Sequence, residues 1–349
     1  MCIRDRAEAE PLYQDALTIR KEALPVGRSD IVSNLNDLAR LYQNQGRLSE
    51  AEPLYQDALA IRKEALPAGH PDIIRSLNEL ASLYRAQGRL SEAEPLYREA
   101  LVIRKEALPA GHLDIATSLN KLATLYHAQG RLSEAEPLYQ DTLAMRKEAL
   151  PAGHPDIATS LSNLSVLYYA QGRLSEAEPP LQEALAMRKE ALPARHPDII
   201  DNLNNLATLY QAQKRLSEAE SLLKDALTAR KEALPAGHLD IATSLNSLAA
   251  LYWSQRRLSE AEPLLQDALA MRKEALPAGH TDIATSLNNL AVLYHAQGRL
   301  AEAEPLYQDA LAIKKEALPA GHPDIVSNLN DLASLYRCLL YTSPSPRDS

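Results

Sequence analysis

The chain has 349 residues, 46% of them hydrophobic and 24% charged, with no phenylalanine, one tryptophan and two cysteines; 37 Lys and Arg against 46 Asp and Glu give a net charge of −9. A protein that tracks phosphates needs a basic stripe, and one that lies on a bilayer needs a basic amphipathic helix; neither is present, and no apolar run is long enough to span a membrane. Nucleic acid and membrane are therefore not expected partners.

The first six residues, Met1-Cys2-Ile3-Arg4-Asp5-Arg6, stand outside the pattern that begins at Ala7. Back-translated they read ATG TGT ATA AGA GAC AG, words of a transposase sequencing adapter, and the stretch from Cys338 to Asp348 reads as the opposite strand. Residues 1–6 and 338–349 are accordingly expected to be adapter-derived scars on a metagenomic fragment, outside the fold, with 339–349 disordered. Both cysteines, Cys2 and Cys338, fall in these words. What remains offers no disulfide, thiol nucleophile or thiolate metal site.

From Ala7 onward the chain repeats with a fixed period of 42 residues: Leu24, Leu66, Leu108, Leu150, Leu192, Leu234, Leu276 and Leu318 are each followed by Pro. The unit is clearest at 70–111. Ile73, Leu77, Leu80, Ala81 and Tyr84 fall on one stripe of a 3.6-residue period and predict an amphipathic helix A starting near Pro71, with Asp72 favoured in its first turn. Gly88 predicts its end through the left-handed conformation. Ser91-Glu92-Ala93-Glu94 reads as a capping box opening helix B, whose stripe is Ala93, Leu96, Tyr97, Ala100, Leu101 and Leu108; Pro109 and Gly111 close it.

One unit is thus an antiparallel helix pair. The expected order is a lone helix B over 7–24, seven A–B pairs over 29–318 and a lone helix A over 323–337: sixteen helices in one continuous domain spanning 7–337, part of a longer array. The helix A glycine, present as Gly46, Gly88, Gly130, Gly172 and Gly298, is replaced by Lys214 and Arg256, where strained corners are expected.

The positions Leu77, Leu80, Ala81, Tyr84, Gly88, Ala93, Tyr97, Ala100 and Pro109 follow the small and large pattern of the tetratricopeptide repeat, and the H-P-D-I, L-N-x-L-A-x-L-Y and E-A-E-P-L-Y segments resemble the kinesin light chain type of that repeat. The resemblance covers about residues 7–337. It implies an all-α, right-handed superhelical solenoid of antiparallel helix pairs whose A helices line a concave surface that binds partners.

Chemistry is sparse. His70, His112, His154, His196, His238, His280 and His322 form one column at the start of helix A, too far apart for metal ligands to converge, and are read as capping or packing residues. The Glu pairs and the R-K-E clusters of helix B are read as caps and solvated faces. There is no phosphate loop, G-x-S-x-G or H-E-x-x-H, so no catalytic, cofactor or metal residues are assigned and no enzyme activity is expected.

What remains is a polar stripe beside the core stripe of helix A. One column reads Asn36, Asn78, Asn120, Ser162, Asn204, Asn246, Asn288 and Asn330; the other varies as Gln43, Arg85, His127, Tyr169, Gln211, Trp253 and His295. Amides carry a donor and an acceptor and can hold the backbone of an extended peptide while the variable column reads its side chains. Trp253, beside Asn246 and Ala250, is the expected anchor. The competing account is that the amides bond neighbouring helices and the variable column is neutral.

The function expected is a non-catalytic, cytoplasmic interaction scaffold for a protein or peptide partner. The alternative is the ligand-sensing array of a larger bacterial signalling ATPase or caspase-like protease. The absence of an upstream coiled coil and of a basic groove, and the near-identity of the repeats, incline the reading toward a bacterial protein.

Overall fold

The computed structural model describes Pro11 and residues 28–342, with the side chains of 31–339. The described residues form fifteen helices and no strand. They are α1 (Arg28–Asn44), α2 (Leu48–Ala65), α3 (Pro71–Ala86), α4 (Leu90–Ala107), α5 (Leu113–Ala128), α6 (Leu132–Ala149), α7 (Pro155–Ala170), α8 (Leu174–Ala191), α9 (Pro197–Ala212), α10 (Leu216–Ala233), α11 (Leu239–Ser254), α12 (Leu258–Ala275), α13 (Thr281–Ala296), α14 (Leu300–Ala317) and α15 (Pro323–Thr342). Odd-numbered helices are of the A type and even-numbered ones of the B type. The expected helix B over 7–24 lies, but for Pro11, outside the described residues.

Two compact units divide the chain, residues 1–180 and 181–349. In the first, consecutive helices from α1 to α7 pack on one another; in the second, those from α9 to α15 do the same. The apolar stripes supply the reason. In the 71–107 pair, Leu77, Leu83, Ala81, Ala93 and Ala100 are fully buried. Alanines on facing helices let the axes approach, and each buried leucine contributes roughly 2 kcal/mol against the unfolded chain. On α15 Val326 and Leu329 of the same stripe are exposed, whereas their counterparts Ala284 and Leu287 on α13 are buried.

Helix A begins as expected, with the histidine column as its cap. His70 Nδ1 accepts from the backbone N–H of Asp72 at 3.2 Å, and His112, His154, His196, His238, His280 and His322 repeat the bond. Pro71, Pro155 and Pro197 take the first helical position, where a missing N–H costs nothing.

Helix B departs from expectation. It starts one residue earlier, at Leu90, with Arg89 in the capping position and no side-chain cap. Ser91 therefore lies inside the first turn and the capping box does not form. Glu92 pairs with Arg89, and Glu94 turns toward the next repeat.

The left-handed corners fall where the glycine column placed them. Gly46, Gly88, Gly130, Gly172 and Gly298 have φ of 74–77°, and Lys214 and Arg256 are held at 63° and 59°. A Cβ in that region costs about 1 kcal/mol. Lys214→Gly and Arg256→Gly should each stabilise the second unit by about that amount, read as a higher urea midpoint; unchanged midpoints would mean that these corners carry no strain.

The last helix also corrects the sequence reading. Instead of ending at 337, α15 continues through Cys338, Leu339, Leu340 and Tyr341 to Thr342. These residues contain no helix breaker; the first is Pro344. Residues 343–349 lie outside the described residues.

Candidate protein-interaction surface

Two sets of side-chain clamps fix neighbouring repeats and so position helix A. In the first, an arginine at the end of the A–B turn lies flat on the tyrosine that closes helix A: Arg89 over Tyr84 and Arg131 over Tyr126 in the first unit, Arg257 over Tyr252 and Arg299 over Tyr294 in the second, at 3.9–4.3 Å from the ring centre. The same guanidinium reaches back to a glutamate of the preceding repeat. Arg89–Glu52, Arg131–Glu94, Arg173–Glu136, Arg257–Glu220 and Arg299–Glu262 are 2.5–2.8 Å apart.

Hydrogen bonds from Arg257 and Lys224 hold the Glu220 carboxyl down at about 2, and arginine bonds lower Glu52, Glu136 and Glu262 as well. A carboxyl depressed on folding adds stability above its unfolded pKa and loses it as pH falls through the folded one. The contribution of these glutamates should thus be constant from pH 7 to about 5 and be lost between about 4.5 and about 2. Glu220→Gln should flatten that acid limb in thermal melts; an identical limb would mean that Glu220 does not couple to folding.

The second clamp was not read from the sequence. Among the described residues the arginine of the R-K-E cluster, expected to be solvated, is largely buried: Arg62, Arg146 and Arg188 are under one-tenth exposed. Where the next helix A carries a serine in register, the arginine donates to it; opposite Arg188 the residue is Asn202. Arg104 meets Ser118 at 2.8 Å, Arg146 meets Ser160 at 2.9 Å, Arg230 meets Ser244 at 2.7 Å and Arg272 meets Ser286 at 2.6 Å. Arg104 and Arg146 also donate to the carbonyls of Asp114 and Asp156. The available signal is the serine fourteen residues after Arg62, Arg104, Arg146, Arg230 and Arg272; after Arg188 the place is held by Asn202.

With helix A fixed, the amide column divides. Asn120 accepts from Asn163 of the next repeat at 2.9 Å, and Asn288 accepts from Asn328 at 2.7 Å and donates to Asp331 at 3.3 Å; these two bond neighbouring helices. Asn78 donates to the Ile74 carbonyl of its own helix. The carbonyl oxygens of Asn36, Asn78, Asn204 and Asn246 are buried without a donor, and the amide nitrogen of Asn246 is likewise buried without an acceptor. A buried polar atom left unpaired costs about 1–3 kcal/mol.

The variable column ranges from half-buried to exposed. In the first unit Gln43 accepts from the Tyr55 hydroxyl, Arg85 is exposed, His127 is half-buried and Tyr169 is 40% exposed. In the second, Gln211 is half-buried, His295 packs edge-on against Tyr307, and Trp253 is 39% exposed. Trp253, Asn246 and Ala250 come together with Leu265, Asn289 and Val292 around a half-open cavity of ≈ 200 Å³. Among the described residues no three His, Cys, Asp or Glu converge as metal ligands, and no helix is long and apolar enough to cross a membrane.

Repeated helix pairs of this geometry, closed by the same small residues and glycines, define a tetratricopeptide repeat array. The chain belongs to the tetratricopeptide repeat family, which it matches over residues 2–64, 30–106, 72–148, 114–190 and 198–274 and again over 283–324. No match to a curated protein is found. Among solved structures it is similar to the nearly identical repeats of a putative kinesin light chain from Podosopora anserina, with 30% identity over 60% of this chain and 99% of that one and a TM-score of 0.52. It is also similar to BtubC (BKLC) from P. vanneervenii, with 24% identity over 66% and 91% of the two chains and a TM-score of 0.55. A signal-transduction ATPase with numerous domains and a tetratricopeptide repeat sensor, from Pyrococcus horikoshii, aligns with 97% of this chain and 50% of its own length at 16% identity and a TM-score of 0.62. The last two likenesses concern the fold alone.

Proposed function

We propose that the chain is a non-catalytic interaction scaffold that holds an extended protein or peptide segment against its A helices. The observation that carries this reading is the set of buried amides without partners, Asn204 and Asn246 above all, beside a half-exposed tryptophan on the same helix face. Amides of this kind hold the backbone of a bound strand, and the residues of the variable column meet its side chains. Asn120 and Asn288 bind neighbouring repeats and take no part.

A second reading, the ligand-sensing array of a larger signalling ATPase or caspase-like protease, draws on one observation: a sensor-bearing ATPase aligns with nearly the whole of this chain while this chain spans half of that one. The surface used would be the same in both readings.

The test is a segment selected by peptide display on the full chain. Asn204→Ala/Asn246→Ala should weaken its binding by roughly tenfold, two lost bonds at about 0.5–1.5 kcal/mol each, while Asn120→Ala/Asn288→Ala should not. Equal effects of the two pairs would remove the amides from the binding account.

A further inference from the structure

Comparison of the repeats with one another exposes a site in the 239–275 pair. One helix B column reads Tyr55, Tyr97, Tyr139, Leu181, Leu223, Leu265 and Tyr307. Where the residue is Tyr97 or Tyr139, its ring is buried and its hydroxyl meets the facing helix A: Tyr97 lies 2.9 Å from the Ser82 hydroxyl, and Tyr139 donates to Thr124 at 3.1 Å. In the 239–275 pair both partners differ, with Leu265 in place of the tyrosine and Ala250 in place of the serine or threonine. The outer ring atoms and the hydroxyl are missing together, and the half-open cavity beside Trp253 lies between those two residues.

We propose that this cavity is a binding site for a phenol ring. Its floor is apolar, from Ala249, Ala250, Leu265 and Leu293, and Trp253 offers an aromatic wall. The polar edge is formed by the half-buried Asn289 and by Asn246, whose amide nitrogen and oxygen are both buried without a partner. A phenol hydroxyl donates and accepts, so it can satisfy either atom, whereas a purely hydrocarbon ring leaves both orphaned. The phenol arrives either as a free molecule or as a tyrosine side chain of a bound segment; only the second source rests on the groove reading above.

The test follows the indole N–H signal of Trp253, the single tryptophan of the full chain, by nuclear magnetic resonance during titration with 4-methylphenol and with toluene. A saturable shift is expected with 4-methylphenol, at an affinity about fivefold to tenfold above that of toluene. Ala250→Ser/Leu265→Tyr rebuilds the Ser82 and Tyr97 pairing of the sister repeat. It should keep the helical circular dichroism of the parent and abolish the shift. No saturable shift, equal affinity for toluene, or an unchanged shift in the rebuilt variant would overturn the site. A short tyrosine-bearing peptide that displaces 4-methylphenol supports the site with a bound segment as the source; failure of that peptide alongside binding of the free phenol supports it as a small-molecule pocket. If 4-methylphenol binds while display-selected segments ignore the amides, the groove reading fails alone.

Discussion

Arg146→Ala should cost about 3 kcal/mol. Its guanidinium is buried on α6 and donates to Ser160 and to the Asp156 carbonyl on α7. Truncation removes two charge-assisted bonds from a buried joint; the Ser160 hydroxyl keeps its own bond to the Asp156 carbonyl at 3.0 Å, so the loss is that of the guanidinium's bonds and packing. Burial pushes its pKa below the usual arginine range, as it does for Arg62, Arg188 and Arg272; the side chain is held by geometry rather than by a carboxylate. Unfolding of a repeat array need not be two-state, so the loss is best read as reduced amide protection in α6 and α7 together with a lower urea midpoint. Lys105→Ala, an exposed member of a neighbouring R-K-E cluster, should change little. Equal effects of the two substitutions would mean that the buried clamp contributes no more than an ordinary surface charge.

An effect of similar size and opposite sign is expected at Pro180. One proline recurs inside helix B, as Pro53, Pro95, Pro137, Pro263 and Pro305; α8 alone among the described helices carries two, Pro179 and Pro180. The second stands where the other repeats place a leucine, Leu96 or Leu138, packed against the core. It removes a further helix hydrogen bond and disfavours the helical conformation of the residue before it. Pro180→Leu should restore the bond and the apolar contact and stabilise the array by about 2–3 kcal/mol. A lower or unchanged urea midpoint would show that the structure around Pro180 is adapted to the proline.

The fold was legible because a 42-residue period shows each element many times over. Helix A could be bounded from Pro71 and Gly88, the histidine column placed at its caps, and the left-handed corners at Lys214 and Arg256 inferred from the glycines they replace. What was not legible depends on contacts between repeats. Ser91 and Glu94 have the spacing of a capping box, yet Glu94 finds a stronger partner in Arg131, thirty-seven residues on. The R-K-E arginine looks solvated on a helical wheel, and only the serine of the next repeat reveals its burial. In the amide column identical residues take different roles: Asn120 meets Asn163 and Asn288 meets Asn328, while Asn246 is left unpaired although Asn289 stands in the register of Asn163. The extension of α15 through Thr342 escaped because an adapter-like word was read as structureless, although its residues are compatible with a helix.

The stability effects test how the scaffold is held; the proposed function rests on which face of it binds. The most direct measurement is the affinity of a display-selected segment for the full chain, for Trp253→Ala and for Lys231→Ala on an outer helix B, with helical circular dichroism confirming each fold. Binding through the A helices predicts a shift of Trp253 fluorescence on complex formation, a loss of about 2 kcal/mol or more in Trp253→Ala, and an unchanged affinity in Lys231→Ala. Undiminished binding by Trp253→Ala, with the loss appearing in Lys231→Ala, would place the partner on the opposite face and contradict the account.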